Sequence, residues 1–230
     1  MDVPSFRGAP MDCMNGEIAT GDDDPYPCLN TRLMSRVSID ELITLHGDDK
    51  DEEVSDCWGW VGSAGQEIVI ITTISATHFI DVSNVANPVH LGTLIARGKP
   101  TFWHDVKTLD SFAFIVSEAK DHGLQVFDMR QLLSITNPPV LLEESSHYGG
   151  FGNAHNIYIN EETAVAYVVG SNECKGGLLM LDISNPLEPT FLACFDKDEY
   201  VHDVQCKLPG DVALSNSPSC LQASCTRATM

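Results

Sequence analysis

Three stretches of this chain open on the same pair, a histidine followed by an aspartate or asparagine, and then a β-branched residue. His104-Asp105-Val106, His155-Asn156-Ile157 and His202-Asp203-Val204 lie 51 and then 47 residues apart. Two apolar runs follow each of the first two openings, and an Asp-centred turn closes the pattern. Asp81-Val82-Ser83-Asn84 and Asp182-Ile183-Ser184-Asn185 are such turns, each with a proline seven residues after the Asp (Pro88 and Pro189). A repeat of this length, holding several short strands, has the sequence pattern of a β-propeller blade. It constrains architecture strongly and chemistry hardly at all.

Within one unit the strands can be read in turn. Residues 104–108 are a first strand, Asp110-Ser111 a turn, and 112–116 a continuous apolar run too short for a helix. Asp121-His122-Gly123 then turns the chain into 124–127, and Pro139-Val140-Leu141-Leu142 starts a fourth strand. The next unit repeats the plan over 155–159, 164–169, 177–181 and 189–195. An earlier, partial unit supplies 67–72, 78–82 and 88–94. The expected fold class is all-β: a partial β-propeller of about three four-stranded repeats, preceded by a short helix-containing segment. Ser38-Ile39-Asp40-Glu41 has capping-box spacing and sets that helix near 39–46, covering one end of the first blade.

The same residues carry a family resemblance. The Asp-Val-Ser turn with its proline, after an apolar strand, resembles the LVIVD repeat. From Cys13 to Cys206, about four fifths of the chain, the sequence is similar to the choice-of-anchor B family. The matching stretches are Tyr26-Pro27-Cys28, Trp58-Gly59-Trp60, Phe114-Ile115-Val116-Ser117-Glu118-Ala119, Phe151-Gly152-Asn153-Ala154-His155-Asn156 and His202-Asp203-Val204-Gln205-Cys206. The resemblance implies an exported β-propeller, often tethered at its C-terminus, with no established catalytic activity. It divides the chain into an N-terminal segment (1–54), LVIVD-type repeats (55–206) and an irregular tail (207–230). Three repeats and a fourth opening fall short of a closed ring, so the chain reads as truncated relative to that family. Its exposed blade edges then invite oligomerisation.

Eight cysteines in 230 residues suit an oxidising compartment. Cys13 and Cys28 enclose a short loop, while Cys174 lies in a hairpin loop and Cys194 in the next strand. Both spacings suit local disulfides, and the resemblance supports both pairs. Cys57, beside Trp58, reads as a buried free thiol, and Cys206 has only Cys220 and Cys225 left as partners. Against this, residues 1–10 show no apolar core flanked by basic residues, so no signal peptide is visible. An extracellular or cell-surface location therefore rests on the resemblance.

Charge narrows the partners. Lys plus Arg number 13 against 33 Asp plus Glu, a net charge of −20. That field disfavours nucleic acid and anionic membrane surfaces, and no apolar run is long enough to span a bilayer as a helix. A protein or glycan partner remains. The acid is densest in Asp22-Asp23-Asp24 and in 48–53, which read as solvated loops, since neither run has the spacing of an EF-hand loop.

The candidate functional residues are the repeated histidines. If each opens an innermost strand, His104, His155 and His202 converge on a channel with Asp105 and Asp203 beside them. Such a ring can hold a divalent metal, with the carboxylates orienting the imidazoles. The competing reading is structural, in which each His bonds the backbone of a neighbouring blade. Asp81, Asp128 and Asp182 are read as closing Asx turns, and Trp58, Trp60 and Trp103 as packing between blades. His147 and Tyr148 sit in a loop near the channel mouth. Glu118, after a buried-looking strand, is a candidate acid. No nucleophile elbow, phosphate-binding glycine loop or His-Glu-x-x-His motif occurs. The expected function is a non-catalytic extracellular interaction or display module. The alternatives are a metal-dependent enzyme using the His ring, or a fragment without independent function.

Overall fold

The structure, a computed structural model, describes residues 4–19, 25–46, 52–197, 199–207 and 219–223. It is mostly β, built of several small sheets, none of which closes on itself. The N-terminal segment contributes four two-residue strands, β1 (Met11–Asp12), β2 (Glu17–Ile18), β3 (Tyr26–Pro27) and β4 (Arg32–Leu33). β1 pairs with β4 and β2 with β3, and the Cys13–Cys28 disulfide ties the loop between them. Helix α1 (Ile39–Leu42) follows, capped as its sequence requires: Ser38 Oγ accepts from the Glu41 N–H. A 3-10 turn (Ile43–Leu45) extends it. This segment lies on the first sheet, where Arg7 Nε donates to the Pro88 carbonyl and the Gly8 N–H to that of Ala86.

The first sheet holds β5 (Val54–Val61), β6 (Glu67–Thr73), β7 (Ala76–Asp81) and β8 (Val89–Ile95) as an antiparallel meander. The second begins with β9 (His104–Leu109), β10 (Phe112–Ser117) and β11 (Leu124–Asp128). The chain then departs from the expected plan. β12 (Val140–Leu142) returns to the first sheet, parallel to β8, and β13 (Ser146–Tyr148) becomes the fourth strand of the second. Gly92 permits that return, because a Cβ there would lie 2.7 Å from the Val140 carbonyl oxygen. His147 and Tyr148 are thus strand residues rather than loop.

The third sheet is β14 (Asn156–Asn160), β15 (Val165–Val169), β16 (Leu178–Asp182) and β17 (Thr190–Phe195). Cys174 and Cys194 are joined across it. β18 (Asp203–Lys207) pairs with β19 (Ser219–Ala223), placing Cys206 opposite Cys220 in the register. The tail expected to be irregular therefore carries a strand; its remaining residues from 208 lie outside the described ones, as do Asp22 to Asp24 and residues 48–51.

Adjacent sheets meet through their first strands, β5 against β9, β9 against β14, and β14 against β18. Side-chain alternation explains why β10 reads as unbroken apolar sequence. Phe114 and Val116 face the third sheet, packing with Ile157, Val168 and Leu181. Ala113 and Ile115 face the first, packing with Ile70 and Phe79. A smaller cluster of Val169, Leu178, Val201 and Val204 joins the third sheet to the start of β18.

Polar links reinforce these contacts. Asp56 Oδ2 accepts from the Val106 N–H at 3.1 Å, and Asp105 Oδ2 from the Ile157 N–H at 2.8 Å. Ser55 bonds the His104 backbone through its hydroxyl. Ser55-Asp56 is thus a further copy of the repeating pair, disguised in the sequence by its serine. Trp58 Nε1 reaches Thr108 and Trp60 Nε1 the Asp110 carbonyl, so both tryptophans pack between sheets as expected. The turn reading of Asp81, Asp128 and Asp182 also holds: their carboxylates accept from Ser83, Arg130 and Ser184 N–H groups.

Two expectations need correcting. Cys57 is free but exposed, because β5 is a sheet edge. Glu52 is buried rather than solvated, accepting from the Ser75 N–H and hydroxyl. The Cys174–Cys194 link spans 20 residues, and closing a loop of that size stabilises by about 3 kcal/mol in the chain-entropy model. The Cys174→Ser/Cys194→Ser variant is therefore expected to lose about 3 kcal/mol of stability, read as a lower urea midpoint. An unchanged midpoint would show that the sheet holds without the link.

Candidate functional site

The repeated histidines are not equivalent in space. β9 begins at His104 itself, whereas His155 and His202 each stand one residue before β14 and β18. What covers each ring differs more than its place in the strand: His104 lies in the core. Its ring is buried, packing edge-on against His122 with centroids 5.7 Å apart. Neither His104 ring nitrogen has a hydrogen-bond partner. Burial, with the His122 ring as a second cause, pushes the His104 imidazole down to about 3. Its neighbour Asp105 is buried too and pairs with Lys107 and the Ile157 N–H. Burial and a hydrogen bond shared with Asp56 push Asp105 up to about 7, against the pull of Lys107. Asp203 accepts from its own neighbour, the Val204 N–H, at 2.7 Å.

His155 and His202, by contrast, come together. Their Nε2 atoms are 2.9 Å apart, and His155 Nδ1 lies 2.6 Å from Glu118 Oε1. Glu118 is carried at the end of β10, with its N–H bonded to the Trp103 carbonyl, and the His155 N–H is bonded to the Val169 carbonyl. The site thus gathers residues from the second sheet, the third, and the approach to β18. The His155 side chain is 11% exposed and Glu118 34%, while His202 faces solvent.

In the neutral tautomer that donates from Nδ1 to the Glu118 carboxylate, His155 presents an Nε2 lone pair and His202 supplies the N–H between the rings. The result is a carboxylate–imidazole–imidazole line whose middle ring is the most buried and whose last ring is exposed. It can pass or hold a proton, and it can present paired imidazole nitrogens to an ion.

Two aromatic side chains flank this line. Trp103 is 49% exposed with its ring 5.6 Å from His155, and Tyr200 is 47% exposed at 6.4 Å. Partial burial and the nearby Glu118 carboxylate push the Tyr200 phenol up. Gly170, at φ +62°, makes room for both, since a Cβ there would lie 2.6 Å from the His155 Cβ and 3.1 Å from the Tyr200 hydroxyl. Trp103 thus stands beside the site while its ring meets His155 across the ends of the second and third sheets. Tyr200 went unnoticed in the sequence; its nearness to His202 was the available signal.

His147 contributes elsewhere, with Nε2 donating to the His122 carbonyl at 2.8 Å. Among the described residues, no group of three or more His, Cys, Asp or Glu side chains is placed to share one ion. Nor is any helix among them long and apolar enough to cross a membrane. In comparisons with known proteins, the chain matches no family model and no curated protein.

Proposed function

We propose that this protein is a non-catalytic extracellular β-propeller module of the choice-of-anchor B type, and that it binds a glycan at the end of its second and third sheets. The observation that carries the binding reading is the pair of half-exposed rings, Trp103 and Tyr200, that both stand beside His155 in the Glu118–His155–His202 line. Aromatic faces stack on the apolar faces of sugar rings, and a carboxylate with imidazoles beside them serves the hydroxyls. The propeller reading is supported by face-to-face packing of successive sheets and by the carboxylate links at Asp56 and Asp105. The Cys13–Cys28 and Cys174–Cys194 bonds are consistent with an exported protein.

The test is retention on a panel of immobilised neutral and acidic glycans, run in chelator. Binding to at least one class is expected, with Trp103→Ala and Tyr200→Ala each weakening it ten-fold or more at an unchanged unfolding midpoint. No retention on any glycan, or retention indifferent to both substitutions, would sink the reading. Capture by a purified protein in the same format would redirect it to a protein partner.

A further inference from the structure

We infer that His155 and His202 form an open site for one transition-metal ion of the zinc, copper or nickel class. The inference goes beyond glycan binding and stands or falls separately from it. It rests first on distance. Two nitrogens each about 2.0–2.1 Å from one ion stand roughly 2.9 Å apart at a right angle and roughly 3.4 Å apart at the tetrahedral angle. The observed Nε2–Nε2 separation of 2.9 Å is at the near end of that interval. Reaching the far end requires a shift of about half an ångström, and His202, exposed and outside its strand, is free to make it.

Orientation is the second support. A metal-bound imidazole typically gives its other N–H to a carboxylate, which fixes the tautomer and raises the basicity of the ligating nitrogen. Glu118 does this for His155, at 2.6 Å on Nδ1. Glu118 lies on the far side of the ring from His202 and so orients the site instead of ligating. His202 needs only to carry its proton on Nδ1 for its Nε2 to ligate; the ion then replaces the proton shared by the two rings. Two imidazoles select borderline metals over calcium or magnesium, which prefer oxygen. The net charge of −20 raises the local concentration of any cation. With two protein ligands, the remaining coordination positions stay open to water or to an oxygen donor brought in from outside.

The experiment is calorimetric titration with Zn2+ alone, on full-length protein carrying Cys57→Ser so that the exposed thiol does not compete. One zinc per chain is expected, with His202→Ala and His155→Ala each weakening it at least ten-fold and Glu118→Gln about ten-fold. In parallel, the Cu2+ electron paramagnetic resonance spectrum should show two imidazole nitrogens, falling to one in His202→Ala. His202→Ala is decisive because an exposed residue ahead of its strand can be truncated without unfolding the sheet. Unchanged zinc affinity together with an unchanged copper spectrum in that variant would overturn the site.

Discussion

Lowering the pH from 6.5 to 5 is expected to cost this protein about 3 kcal/mol of stability, a large part of what a domain of this kind possesses. Burial pushes five imidazoles down, and the three set deepest, His78, His104 and His122, lie below pH 5. Burial, then the His90 and His46 rings, pushes His78 down to about 3; burial, then the His122 ring, does the same to His104; and burial pushes His122 down to about 4. In the unfolded chain each titrates near 6.5. Between about 6.5 and 4, unfolding therefore takes up one proton per histidine, and stability falls with pH by about 1.4 kcal/mol per unit for each.

Asp105 opposes this. Its folded value, pushed up to about 7, lies above the unfolded one, so its contribution is fully present below the unfolded value and is lost as pH rises through 7. Three histidines against one carboxyl leave about two protons, fewer near pH 6.5 where the unfolded histidines are half protonated, so the loss across the window is about 3 kcal/mol. Relief of repulsion among the many carboxylates begins only below about pH 5, so the window from 6.5 to 5 belongs to the histidines. Urea midpoints at pH 7, 6.5, 5.5 and 5 check this, with His104→Phe expected to halve the slope. A flat profile across that window would mean the buried rings are not held neutral.

How far the sequence discloses this structure depends on how local each signal is. β10 is legible because both its faces are buried, which erases alternation and leaves Phe112-Ala113-Phe114-Ile115-Val116 as a run no loop would carry. The cap at Ser38 and the Asx turns at Asp81 and Asp182 are legible because each is a bond between residues two or three apart. β12 is legible as a strand but not in its pairing, since its three residues fit any sheet edge and its partner β8 lies some fifty residues earlier; the isolated Gly92 is the available hint.

The candidate site shows the same division. Glu118 and His155 each stand out alone, one as a polar residue ending an apolar strand and the other in a repeated motif. Their bond crosses 37 residues, which no local pattern encodes. The histidine repeat suggests three equivalent rings, yet His104 packs under the His122 ring in the core, His155 is mostly buried against Glu118, and His202 alone is exposed. Asp105 and Asp203 are the carboxylates expected to orient the rings, yet Asp105 bonds the next sheet's backbone, as Asp56 does in the copy that carries Ser55.

Asp105→Ala should destabilise the protein by about 3 kcal/mol, and Asp56→Ala by about 1 kcal/mol, although both remove a carboxylate that bonds the next sheet. The difference follows from burial. Ile157 is fully buried, and its N–H at 2.8 Å from Asp105 is left without an acceptor when the carboxyl goes, while Lys107 loses its nearer partner. Asp56 is only partly buried, its bond to the Val106 N–H is longer at 3.1 Å, and water can take its place. Asp105→Asn keeps an acceptor for Ile157 and is expected to cost about 1 kcal/mol near neutral pH, while abolishing the decline as pH rises through 7. Urea unfolding of the three variants separates these outcomes, and equal losses for the two alanine variants would show that burial does not set the strength of the link. Because Ile157 is two residues from His155, loosening this bond also frees the start of β14. Asp105→Ala should therefore weaken zinc binding, whereas Asp56→Ala, which reaches the Ile157 bond only through its hydrogen bond to Asp105, should weaken it less.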